Sequence, residues 1–152
     1  MELPLLKDNI EKLIPHRGKM LLIDRITAWS DTDICCESDI KESNLFYDEV
    51  CGGLPAYVGF EIMAQAAAAQ SRLLAYKRGE KLESKFGMIL SVKKMTSEKD
   101  FLPLNSTIVT KVSQDDVEGG LYTFSGEIFV KNNDSLEKIM DATLTAIQTE
   151  VK

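Results

Sequence analysis

Hydrophobic positions along this chain follow two different periods. In Thr107–Ser113, alternation places Ile108 and Val112 on one face. Tyr122, Phe124, Ile128 and Val130 share a face in Leu121–Lys131, as do Met140, Ala142, Leu144 and Ala146 in Lys138–Gln148. A period of two marks half-buried strands. Gly119-Gly120 predicts a hairpin between two of them, and Asn132-Asn133-Asp134 predicts another turn. Phe86–Lys94 reads as a further strand, as do Met20–Trp29, whose apolar start predicts burial on both faces, and Ile34–Ile40. Asp8–Ile14 reads as a short helix beginning near Asp8 or Asn9 and ended by Pro15.

Between these runs the period changes. Pro55 suits a first helical turn, where its missing N–H would have no partner. From Ala56 to Arg78 there is no further proline, and alanine and leucine dominate. Gly79 after Lys77-Arg78 is a stop, with basic residues at the negative helix end. About 23 helical residues make a rod of roughly 34 Å. Ala66–Ala69 is small on every side, which suits close wrapping by a sheet. Lys41–Leu54, ending in Gly52-Gly53, reads as a loop of functional length. One long central helix wrapped by about six antiparallel strands is an α+β layer pair, and residues 1–152 fit a single domain. Such a pair covers only one side of its helix. Two sheets joined side by side around paired helices would cover the other, which predicts a dimer.

Composition narrows the function classes. Hydrophobic residues make up 44% and charged residues 28% of the 152, the balance of a soluble globular chain. No apolar run reaches the roughly 18–20 residues that span a bilayer, and charges interrupt the apolar N-terminus, so no membrane partner and a cytoplasmic location are expected. The net charge of −6 argues against nucleic acid. Cys35, Cys36 and Cys51 read as reduced thiols, and one histidine without a CxxC pair predicts no metal site.

Three features carry candidate chemistry. Glu61 lies in the second helical turn between Phe60 and Ile62. Burial there would raise its pKa and fit it to proton transfer near neutrality. Gln65, four residues on, is placed to hydrogen-bond it. The spacing fits a solvent-facing Glu61–Gln65 pair equally well. The amides of Ala56, Tyr57 and Val58 open the helix and could hold a carbonyl oxygen as negative charge builds on it. Arg72, Lys77, Arg78, Lys81, Lys85, Lys93 and Lys94 outnumber Glu80 and Glu83, a local excess that could meet an acidic partner.

The stretches LIPHRGKMLLIDRI and LPAYVGFEIMAQAAAAQ together resemble the bacterial FabZ-like 3-hydroxyacyl acyl-carrier-protein dehydratases. LIPHRGKMLLIDRI, Leu13–Ile26, is similar to that family's leucine-proline-histidine-arginine start. LPAYVGFEIMAQAAAAQ, Leu54–Gln70, is similar to its loop-to-helix motif, with Pro55, Glu61, Ala64 and Gln65 at matching spacing. The pattern looks most like the divergent dehydratase-like subunits of aryl-polyene-type polyketide clusters. The resemblance implies a hotdog fold and dehydration of acyl thioesters carried on phosphopantetheine, with acyl carrier protein as partner and no other cofactor. It places the helix carboxylate at Glu61 and the carbonyl-binding amide at Ala56, with Tyr47, Tyr57, Gln65 and His16 as substrate-binding candidates. The family's loop histidine falls at Tyr47, in NLFYDEV, and Asp48 and Glu49 are the nearest substitutes for the missing base. His16 matches another histidine of the family, not the catalytic one. Three readings follow: a dehydratase with an unusual base, a catalytically incomplete subunit of a heterodimeric dehydratase, or a hotdog acyl thioesterase. Homodimer and heterodimer both remain open.

Overall fold

The computed structural model describes residues 2–80 and 86–150. Its elements, in order, are β1 (Leu5–Leu6), α1 (Lys7–Ile10), β2 (Arg25–Trp29), β3 (Asp33–Asp39), β4 (Gly53–Pro55), α2 (Tyr57–Lys77), β5 (Phe86–Ser97), β6 (Phe101–Pro103), β7 (Thr107–Glu118), β8 (Leu121–Asn132) and β9 (Ser135–Glu150). Seven strands form one antiparallel sheet in the order β1-β2-β3-β7-β8-β9-β5, and β4 pairs with β6 apart from it. This is the expected hotdog, with seven strands in the main sheet rather than about six. The alternation that predicted the strands is what packs them on α2: Ile108, Val112, Phe124, Ile128, Met140, Ala142, Leu144 and Ala146 are all buried in one core with it.

The hairpin ends follow their turn residues. Gly119 and Gly120 both have positive φ, which a two-residue turn matched to strand twist needs. At the far end of α2, Gly79 also has positive φ. Its amide donates to Tyr76 O and that of Glu80 to Ala75 O, so two last-turn carbonyls gain partners.

Three boundaries differ from the sequence reading. The first helix is only Lys7–Ile10, and no side chain caps it, so neither Asp8 nor Asn9 opens it. Pro55 ends β4 instead of entering the helix, because Leu54 and Pro55 pair with Leu102 and Phe101. Regular pairing in the predicted strand Met20–Trp29 starts at Arg25, not Met20. Leu21, Leu22 and Ile23 are buried as expected, but their run bonds to α2 instead of a strand.

Close approach of helix and sheet rests on two glycines. A Cβ on Gly59 would lie 2.5 Å from Met140 Sδ and 2.8 Å from Ile128 Cδ1; one on Gly126 would lie 2.6 Å from Met63 Sδ. Each glycine receives a methionine from the opposite layer, and the unbranched thioether fills the gap.

Candidate active site

Helix α2 presents one partly uncovered stripe. Tyr57 is exposed, Phe60, Glu61, Ala68 and Ser71 are half-buried, and the rest of the helix down to Ala75, Leu74 apart, is buried. The carboxylate of Glu61 sits on this stripe with 41% of its side chain exposed. Of the two readings left equal by the spacing, burial is not reached within a single chain.

Gln65 does not bond Glu61, contrary to the spacing argument. Its Oε1 accepts from the Leu22 amide at 2.9 Å, and its Nε2 donates to Met20 O at 2.8 Å. The side chain thus supplies to Met20–Leu22 the two bonds a neighbouring strand would give. Residues 43 and 45 positions apart meet here, which no helix-local rule could find.

That clamp holds the preceding loop against the helix. Arg17 closes the loop on itself, donating to Ile14 O and His16 O at 2.8 Å each. His16, the chain's one histidine, then lies with Nε2 3.7 Å from Glu61 Oε1. Its Nδ1 is buried without a hydrogen-bond partner among the described residues. A hydrogen on Nδ1 would have no acceptor among the described residues, so the tautomer that carries its hydrogen on Nε2, facing Glu61, fits this geometry. The sequence motif named both residues; the fold brings them together.

The loop candidates are placed differently. Asp48 is exposed and serves its own turn: its carboxylate accepts from the Val50 amide at 2.9 Å and its carbonyl from Gly52. Tyr47 is half-buried against the core. Desolvation and the charges of Glu42 and Glu49 push its phenol above the usual range, so it holds its proton.

At the helix start, the Ala56 amide is already donated to Asp100 O at 2.9 Å. This corrects its assignment as a free carbonyl-binding donor. The next two amides, of Tyr57 and Val58, have no backbone acceptor among the described residues, as the first turn of a helix leaves them.

The basic cluster is dispersed. Arg72 is buried, Lys77 pairs with Asp31 and Arg78 with Glu80, while Lys81 and Lys85 lie outside the described residues. Two clefts of about 260 and 430 Å³ open on the outer face of the sheet, around Trp29, Lys111 and Lys131, and share no residue with the Glu61 region. No helix among the described residues is long and apolar enough to cross a membrane, and no group of three or more His, Cys, Asp or Glu among them could hold a metal ion.

Structures with this fold are described both as dehydratases and as thioesterases. The chain superposes on a structure of the dehydratase heterocomplex ApeI:P from Xenorhabdus doucetiae with a TM-score of 0.81 and 19% identity, over 99% of this chain and 93% of that one. Thioesterase PA1618 from Pseudomonas aeruginosa, a mutant form, matches at 0.60 with 12% identity over 97% of both chains. The smu.793 protein from Streptococcus mutans, bound to acetyl CoA, matches at 0.60 with 9% identity over 84% and 89%. At such identities these structures establish the hotdog fold alone. A search among curated proteins gave no match. The family model of ApeP-like proteins, described as ApeP dehydratase, matches residues 8–152. With nearly the whole chain matched, this dehydratase-like hotdog subunit belongs to the ApeP-like dehydratase family.

Proposed function

We propose that this chain is the carboxylate-bearing subunit of a two-subunit dehydratase. Its substrate would be a 3-hydroxyacyl thioester on the phosphopantetheine of acyl carrier protein, in polyene-type chain assembly, with no further cofactor. The observation that carries the reading is the split of the site. Glu61 sits on the open stripe of α2, while the loop position matching the family's histidine holds the protonated Tyr47. The acid is present and the loop base is not. The family name, and the heterocomplex of dehydratase subunits from X. doucetiae, support a second hotdog subunit as the source of that base.

The chemistry divides accordingly. A histidine of the second subunit takes the C2 proton. The Tyr57 and Val58 amides hold the thioester oxygen as the enolate forms. Glu61, protonated, gives its proton to the C3 hydroxyl as the C–O bond breaks, leaving an enoyl thioester and water. The histidine's proton returns to Glu61 through solvent. Packing of a second helix along Ala64, Ala68 and Ser71 would cover Glu61 and exclude bulk water from the proton transfer. A second reading rests on the 3.7 Å contact of His16 with Glu61: the chain alone would use His16 as the base.

Mass spectrometry of a 3-hydroxyacyl acyl carrier protein decides between them. Loss of water only when a histidine-bearing hotdog subunit is added, abolished by Glu61→Gln, is the expected result. Loss of water with the purified chain alone favours His16. Release of a free acid instead of an enoyl thioester would replace both with thioesterase chemistry.

A further inference from the structure

Two polar heads beside the open stripe of α2 are left unbonded. Neither the Glu61 carboxylate nor the His16 ring makes a hydrogen bond among the described residues. They face each other across 3.7 Å, with 41% and 27% of their side chains exposed. That gap is too long for a hydrogen bond. It is wide enough to share one oxygen atom, which can sit about 2.8–3.0 Å from both. The ring is also firmly held. Gln65 pins Met20–Leu22 to the helix, and Arg17 bonds the carbonyls of Ile14 and His16. Its Nδ1 is sealed in without a hydrogen-bond partner among the described residues. A buried ring nitrogen with nothing to bond weakens a fold, so packing alone gives no reason for a histidine here.

We infer that His16 is a second donor to the departing oxygen: its Nε2–H bonds the 3-hydroxyl of the substrate from one side while Glu61 bonds it from the other. The inference rests on the two-subunit reading and adds a residue to it. The second subunit's histidine takes the C2 proton, and the electron pair left behind becomes the C2–C3 double bond. The C3–O pair leaves on oxygen, which takes the Glu61 proton and departs as water. Negative charge grows on that oxygen as the bond stretches. A hydrogen bond aimed at it is then stronger than at the resting hydroxyl. The His16 hydrogen stays on Nε2 throughout, so the proton balance is unchanged.

Two replacements separate donation from proton transfer. Glutamine carries a terminal amide at the reach of Nε2, which donates a hydrogen bond but cannot take up a proton; leucine does neither. The chain is reconstituted with a histidine-bearing hotdog subunit, and water loss from 3-hydroxyacyl acyl carrier protein is followed by mass spectrometry. His16→Leu is expected to lower kcat about 10- to 100-fold with KM within about threefold, the pattern of a bond made in the transition state. His16→Gln is expected to recover to within about fivefold of wild type. In thermal unfolding of the chain by itself, His16→Leu is expected to match or exceed the wild-type Tm, because an orphaned nitrogen is removed. Equal losses in both variants would overturn the inference, as would a His16→Leu Tm more than about 5 °C below wild type, which would make the ring a structural piece. Water loss by the wild-type chain alone would also overturn it, by making His16 the base. An active pair indifferent to His16→Leu removes this inference and leaves the two-subunit reading standing; a wild-type pair that leaves the substrate intact removes both.

Discussion

Replacing Gln65 by leucine tests how the loop bearing His16 is held. Leucine has similar bulk but neither polar atom. The Leu22 amide would stay buried without an acceptor, at about 1–3 kcal/mol. Met20 is exposed, so water can reach its carbonyl, and the lost bond there costs a net ~0.5–1.5 kcal/mol. Together the variant should lose about 2–4 kcal/mol, or roughly 4–16 °C in Tm for a chain of this size. Urea unfolding measures the total. Amide hydrogen exchange locates it: Leu22 and Ile23 should lose protection while the β7–β8 ladder keeps it. Detachment of the strip should also free His16 from Glu61, visible as a shift of the chain's single imidazole in NMR spectra. A loss below about 0.5 kcal/mol with unchanged exchange at Leu22 would show that the clamp is not what holds the loop.

Two further substitutions probe the frame around the site. Gly53→Ala would place its Cβ 1.9 Å from the Leu102 carbonyl oxygen, where only backbone movement can relieve the clash. It should destabilise by about 2–3 kcal/mol in urea unfolding, more than Gly126→Ala, whose neighbour is a yielding Met63 side chain. Asp39→Asn removes one side of a two-bond pair with Arg25, at 2.8 and 2.9 Å. The Arg25 hydrogen bonds hold the Asp39 carboxyl below its ordinary range, so its contribution is present above the unfolded pKa near ~3.9 and is lost as pH falls through the lower folded value. The variant should therefore be less stable than wild type by about 1 kcal/mol at neutral pH, with the gap narrowing below about pH 4. Unfolding at both ends of that range checks the sign.

Legibility in the sequence followed the range of the forces involved. The helix and strands β3, β7, β8 and β9 repeat their hydrophobic pattern many times, so their periods survive local exceptions. Met20–Ile23 misled because burial on both faces looks the same whether a strand or a glutamine satisfies the backbone. Pro55 misled because its fixed φ serves the end of a strand as well as the start of a helix. Glu61 was visible from its motif. Its neighbour His16 was visible as a residue but not as a contact, since the two are joined only by folding. The Ala56 amide was lost to Asp100, one residue beyond the β4–β6 pairing, which three-residue strands do not announce.

The reciprocal glycine and methionine contacts do more than bring two layers close. They act as a phase lock on the helix. Gly59 takes Met140 from the sheet, and one turn later Met63 enters the space above Gly126. Rotating α2 about its axis would drive one thioether into a backbone while emptying the seat of the other. Glu61 lies midway between the two pins, about 200° around the helix from each. A bearing fixed by two contacts on the sheet side is thereby fixed on the opposite side as well, and the carboxylate is aimed away from its own sheet by residues that never touch it.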